Sequence, residues 1–371
     1  MVEMIKEGKI GMLEAYALVT VIIITKVFYT FPLASIKQTG TAAWYSTLIS
    51  CACAIAFFVL VYLLLKRFPQ KDLYQVFEAV LGQKIGRFLV LVFSVYFLYY
   101  AGINLSEFVN ILKIYCMPLT PQEVLVAGFL IVTAAMAYVG LEGISRVAYI
   151  LFYLIIAGLV LILLLAIPFY DFHYLKPWFG YGLGVTVKEG ILRTSSYDTV
   201  IILAIIANSL QGLKNLKRVG LACLLTAGAV FSICLACVLA AFQYTAGGEY
   251  ISGMNHLSRI IYYSRFFQRV EAIFLFVWVF ASVIAVSATF YIALSSYCRV
   301  FNITNHRPLL MPFLFLTFAF SSLPKNMAEI IDIYVRFIRG YSLFLIVLAP
   351  VLVLLIAMLM GKRGGKASET Q

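Results

Sequence analysis

Lys26 lies inside a mainly apolar stretch, residues 12–32, MLEAYALVTVIIITKVFYTFP. About 20 apolar residues cross a ~30 Å hydrocarbon core, and a lysine within such a stretch costs on the order of 2.5–3.5 kcal/mol on insertion scales. Its ammonium, with Thr25 beside it, is suited to holding a carboxylate. The alternative is that the lysine stem snorkels to the outer interface, roughly 9 Å away. A second polar stretch, Arg193-Thr-Ser-Ser-Tyr-Asp198, opens another apolar segment. Ser195, Ser196 and Asp198 there are candidate pocket residues. Asp198 either accepts a ligand amine or pairs with Lys26, because each buried charge needs a partner. Tyr96, Tyr100 and Asn104 recur every four residues and form one stripe of a third segment, with Glu107 close to it. Trp278, Ser282 and Thr289 share a face of a fourth, which also carries Ser287. The simpler readings are interfacial tyrosine belts and hydroxyls that bond their own or a neighbouring helix.

This chemistry is recognition. His173, His256 and His306 fall in separate loops, with no acid and nucleophile beside them, so no enzyme activity and no cofactor are expected. Cys234-Leu-Ala-Cys237 has the spelling of a metal or redox motif, but it lies mid-span with no second pair. Packing of small residues between helices accounts for it better, and no metal is expected.

The elements that must position these residues are membrane helices. Hydrophobic residues make up 63% of the chain and charged residues 12%, with a mean hydropathy of +1.00, whereas soluble domains are about a quarter charged. The net charge of +12 calls for no nucleic-acid partner, since basic residues gather in the loops that orient a membrane chain. The first apolar segment is too long for a cleavable signal and lacks a small-x-small site, so it is expected to remain as a span.

Ten spans are expected, near residues 12–32, 42–65, 85–112, 122–139, 145–168, 191–210, 219–244, 271–297, 309–323 and 337–360. Thr120 is the expected N-cap of the fourth, with Pro121 in its first turn. Residues 71–83 read as an amphipathic helix on the membrane surface, its apolar face made by Leu73, Phe77, Val80 and Leu81. Ile251, Met254, Leu257, Ile260 and Ile261 suggest a second interfacial helix in the long outer segment 245–269. Basic residues favour the side of the termini, which places both in the cytoplasm. A long connection after the fifth span divides the chain into two five-span halves, 1–170 and 171–360, with a tail at 361–371. An odd number of spans per half inverts the second relative to the first, the plan of many secondary transporters, whose substrates bind at the midplane between interrupted helices. The first and sixth spans correspond in that plan, and they are the two that carry Lys26 and Asp198.

Several motifs occur in order along the chain: Arg67-Phe-Pro-Gln-Lys-Asp-Leu73, Leu81-Gly-Gln-Lys84, Pro118-Leu-Thr-Pro121, Gly140-Leu-Glu-Gly-Ile-Ser-Arg146 and Leu323-Pro-Lys-Asn326. Over nearly its whole length the chain resembles the B subunits of spore germinant receptors (the GerAB type), within the amino acid–polyamine–organocation transporter superfamily. The resemblance implies an all-α polytopic protein with a LeuT-like 5+5 inverted repeat in the inner membrane of an endospore-former. It implies nutrient sensing, often of amino acids, beside an A subunit and a lipoprotein C subunit. In one respect the chain departs from the pattern. Superfamily members carry glycines where the first helix unwinds, and here no glycine falls between Gly11 and Gly40. Glycine frees the backbone to turn its amides toward a carboxylate. Either the break is held open another way or the helix is continuous; Lys26 would then pair with the ligand carboxylate or stand in for a coupling sodium near Ser282 or Ser287.

Three functions follow as expectations: a sensing subunit that binds a small nutrient between spans one, three, six and eight; an amino acid permease; or a scaffold or ion pathway with a vestigial pocket. Near the inner ends, Glu142 and Arg146 are expected to form a local ion pair or gate. Glu329, Asp332, Arg336 and Arg339 are expected to form a charged outer collar.

Overall fold

The computed structural model describes residues 8–210, 212–263, 270–331 and 342–364, and every regular element among them is helical. Hydrocarbon imposes this: a backbone with no water to bond must bond within itself. The first apolar segment forms α1 (Met12–Ile24) and α2 (Phe31–Thr39), separated by a 3-10 turn at Thr25–Phe28. After it come α3 (Ala43–Arg67), α4 (Leu73–Leu81), α5 (Gln83–Tyr115), α6 (Gln122–Val139) and α7 (Leu141–Leu165). Next, α8 (Leu183–Leu192) runs into a nine-residue 3-10 stretch, Arg193–Ile201, and then the short α9 (Ile202–Ile205). The second half continues with α10 (Leu213–Ala241), α11 (Tyr244–Gly247), α12 (Gly253–Ile260), α13 (Glu271–Val300), α14 (Leu310–Ser321) and α15 (Met327–Ile331). A π stretch, Leu343–Leu348, leads into a last helix, Ala349–Leu359.

Among the described residues six helical stretches are long and apolar enough to cross a membrane, and the helices of the ninth and tenth expected spans are apolar but shorter. The first and sixth expected spans are the interrupted ones. Burial sorts the long helices: the apolar windows of α13 and α5 are 67% and 61% buried, those of α6 and α7 only 22% and 28%. Thus α5 and α13 form the centre with α1, while α6 and α7 turn large apolar side chains such as Ile131 and Ile150 outward. Between them Gly140 has φ +92°, a conformation that suits glycine. Helices α3 and α10 pack closely, since a Cβ on Gly220 would come within 2.0 Å of the Phe58 ring.

Three expectations are corrected. α4 does not lie on the membrane: Leu73, Phe77 and Val80 are buried in the main core, where Phe77 meets Phe93 of α5. The outer segment likewise turns inward, with Met254 and Leu257 of α12 fully buried. A one-sided apolar helix fits a protein groove as well as a bilayer surface, so amphipathicity alone does not choose between them. Thr120 does not cap α6; its amide bonds Met117 O in a tight turn, and Pro121 takes the N-cap position. Of the outer collar, Glu329 accepts from Lys325 N at 2.8 Å, whereas Asp332, Arg336 and Arg339 lie outside the described residues.

Polar ties gather at the end of the bundle where α1 begins. Asp72, fully buried, pairs with Arg299 of α13 at 2.7 Å and accepts from Asn208 Nδ2 at 2.9 Å. Ile10 N donates to Ser209 O at 3.1 Å. Arg146 pairs with Glu142, as its spacing suggests, and also approaches Glu14 of α1 at 3.9 Å. These ties hold the start of the first segment and the end of the sixth to the helices around them.

Candidate functional site

A broken helix in hydrocarbon strands amides and carbonyls that need partners. At the first break those partners are side chains. Glu107 Oε1 of α5 accepts from Thr30 N at 3.0 Å and from Thr30 Oγ1 at 2.5 Å. Ser252, the N-cap of α12, donates its hydroxyl to Phe28 O at 2.8 Å. Thr25 Oγ1 reaches both Val21 O at 2.6 Å and Ala281 O of α13 at 3.3 Å. Tyr29 donates to Ser282 Oγ at 3.0 Å and packs edge-on against Trp278. The break is therefore open and fastened from three sides without glycine.

The second break faces the first. Nine residues of 3-10 geometry are unusual, since such runs seldom exceed three or four. Tyr197 ties this stretch to Thr47 O of α3 at 3.1 Å, and Arg193 ties it to Ala34 O of α2 at 2.5 Å and Gln38 Oε1 at 2.7 Å. Lys26 bridges the two breaks. Its Nζ donates to Ser196 O at 2.7 Å and to Asp198 Oδ1 at 2.8 Å, and it sits 5.7 Å from the Tyr100 ring centroid, within cation–π reach. Tyr96 donates to the other Asp198 oxygen at 2.8 Å. Lys26 is 2% exposed and Asp198 4%, so neither charge relies on water. The snorkelling alternative for Lys26 is excluded by these contacts.

Of the residues singled out by sequence, Lys26, Tyr96, Tyr100, Ser196 and Asp198 meet in one cluster. Asn104, one turn along α5, donates to Tyr100 O at 3.0 Å, and Ser282 joins the first break through Tyr29. The others stand apart in their bonding. Ser195 turns back to Leu192 O at 3.4 Å, and Thr289 bonds Ala285 O of its own helix at 2.8 Å. Ser287 Oγ is buried with no partner among the described residues, as is Ser196 Oγ. Glu107 and Tyr29 were not among the sequence candidates for binding. An acidic residue in an otherwise apolar span was the available signal for Glu107; Tyr29 gave none.

A family model described as "Spore germination protein" matches residues 9–330. The chain belongs to the spore permease family. Spore germination protein KB of Bacillus subtilis is 22% identical over 54% of this chain, and the match spans about half of that protein, 55%. Spore germination protein YndE of the same organism is 22% identical over 91% of this chain and 93% of its own length. Among solved structures, a Na+-coupled sialic acid symporter in its substrate-bound outward-open state gives a TM-score of 0.68 at 12% identity, covering 97% of this chain and 92% of that one. MhsT in complex with L-phenylalanine gives 0.66 at 14% identity, with 96% and 91% coverage. The chain thus has a LeuT-like fold.

A buried pair makes its own test possible. Asp198→Ala removes the carboxylate partner of the buried Lys26 ammonium and is expected to lower the unfolding free energy by about 3–5 kcal/mol, as is Lys26→Ala. The double variant Lys26→Ala/Asp198→Ala should lose far less than the two single losses combined. A double-mutant cycle on detergent-purified protein checks this, and additive losses would show that the two charges do not depend on one another.

Proposed function

We propose that this spore permease is the nutrient-sensing membrane subunit of a spore germinant receptor, and that its ligand is a small zwitterion of the amino acid class. The buried Lys26–Asp198 pair spanning the two breaks carries the reading. An amino acid brings one carboxylate and one ammonium, the charges that Lys26 and Asp198 each need once parted. Inserted between them, it replaces one buried pair by two and leaves no charge uncompensated. Tyr96, Tyr100 and Asn104 of α5, with Ser195 and Ser196, line the ligand on one side. Thr25, Ser282, Ser287 and Thr289 belong to the opposite wall, toward α13. That MhsT, of similar fold, is in complex with L-phenylalanine supports the choice of ligand class.

Parting the pair separates the first and sixth segments, and the ligand shifts the protein toward whichever state it binds better. Partner subunits, an A subunit and a lipoprotein C subunit, then read that shift as a coupling between sites. The chain would cross the inner membrane of the spore ten times, in halves 1–170 and 171–360, with both termini and the tail 361–371 in the cytoplasm. A second reading, an amino acid permease, is favoured by the fold shared with a symporter.

A thermal-stability screen with amino acids, sugars and nucleosides tests the ligand class. At about 100 times its dissociation constant a ligand stabilises by about 2.7 kcal/mol. One amino acid should raise the melting temperature of the parent protein and not that of Lys26→Ala. A shift in both forms, or one given only by sugars or nucleosides, would sink the zwitterion reading. Uptake of that amino acid into vesicles by the protein alone would select the permease reading over the sensor. Orientation has its own check: exposed Cys116, beyond the end of α5, should react with a membrane-impermeant maleimide added outside, and labelling only after permeabilisation would reverse the topology.

A further inference from the structure

The first break holds an acidic side chain of its own. Two donors of Thr30, the backbone amide and the side-chain hydroxyl, converge on one oxygen of Glu107 at 3.0 and 2.5 Å. The shorter contact lies in the range of a charge-assisted O–H···O⁻ bond. Thr30 is also the N-cap of α2, whose first turn places partial positive charge beside the carboxylate. Glu107 is fully buried, and it comes from a different helix, 77 residues further along the chain, so it is no local cap.

We infer that Thr30 and the unwound backbone around it form a carboxylate cradle, and that Glu107 fills it as a tethered carboxylate. The cradle answers the missing glycines of this segment. Glycine would let the open backbone receive a ligand's carboxylate; here the open backbone is held by a carboxylate the protein supplies. A consequence follows for the central site, and it rests on the function proposed above. With the backbone amide already taken, the acid group of the nutrient is recognised by a side chain, the Lys26 ammonium. Recognition of the acid group then depends on Lys26, and Glu107 acts as a positioning residue that keeps the break open.

Removing the tether should expose the cradle to small acids, and formate is the probe. Glu107→Ala should melt below the parent protein, and sodium formate should raise its melting temperature saturably. Sodium chloride at the same ionic strength and formamide, of similar size but uncharged, should not. The parent protein and Glu107→Gln, whose side chains fill the space, should not respond to formate. If Glu107→Ala does not fold, Glu107→Ser leaves nearly the same space and serves in its place. Equal effects of formate and formamide, or no effect of formate on a destabilised folded variant, would overturn the cradle. Because no nutrient is used, failure of the nutrient screen leaves this result standing, and failure of formate leaves the Lys26 reading standing.

Discussion

Hydrocarbon tolerates no unpaired backbone groups, and the two interrupted segments of this protein violate helical pairing in the middle of the bundle. Everything around them is arranged to make good that loss. Lys26 satisfies the carbonyl of Ser196 in the second break, Glu107 satisfies the amide of Thr30 in the first, and Ser252 satisfies the carbonyl of Phe28. The charges themselves then need partners, which Asp198 and Tyr96 supply to Lys26 and to Asp198 in turn. The central site is thus a chain of mutual obligations between backbone and side chains, and each broken segment is held by the other.

This arrangement is self-contained. Lys26 and Asp198 are both buried, and further ties fasten the elements around them, Arg193 to α2 and Asp72 to Arg299 and Asn208. A neutral ligand would find these groups already satisfied by one another. A ligand bearing both charges offers each of them an equivalent partner, so the exchange costs little in electrostatics and the balance is set by packing and shape. On the proposed function, that is how a small nutrient would part the two interrupted segments.

Much of this was legible in the sequence. Lys26 and Asp198 stood out because charged residues are rare in apolar spans, and the four-residue repeat of Tyr96, Tyr100 and Asn104 placed them on one face before any contact was known. The positions of the long helices followed from hydropathy. Other features were not legible for identifiable reasons. The amphipathic patterns of α4 and α12 are the same whether the apolar face meets lipid or protein, and both turned out to face protein. The hydroxyls of Ser195 and Thr289 met carbonyls of their own turns, a local alternative always open to serine and threonine in helices. Glu107 was seen but its task was not, because the need for it exists only once the first helix is broken, and the absence of glycine argued equally for a continuous one.

On the proposed function, ligand binding parts Lys26 from Asp198. A cryo-electron microscopy structure of the protein with its nutrient bound tests this. The nutrient's acid group is expected on Lys26 and its amine on Asp198, the two side chains separated beyond the ~4 Å reach of an ion pair, and Glu107 still on Thr30. A nutrient bound elsewhere, with Lys26 Nζ still 2.8 Å from Asp198 Oδ1, would contradict it.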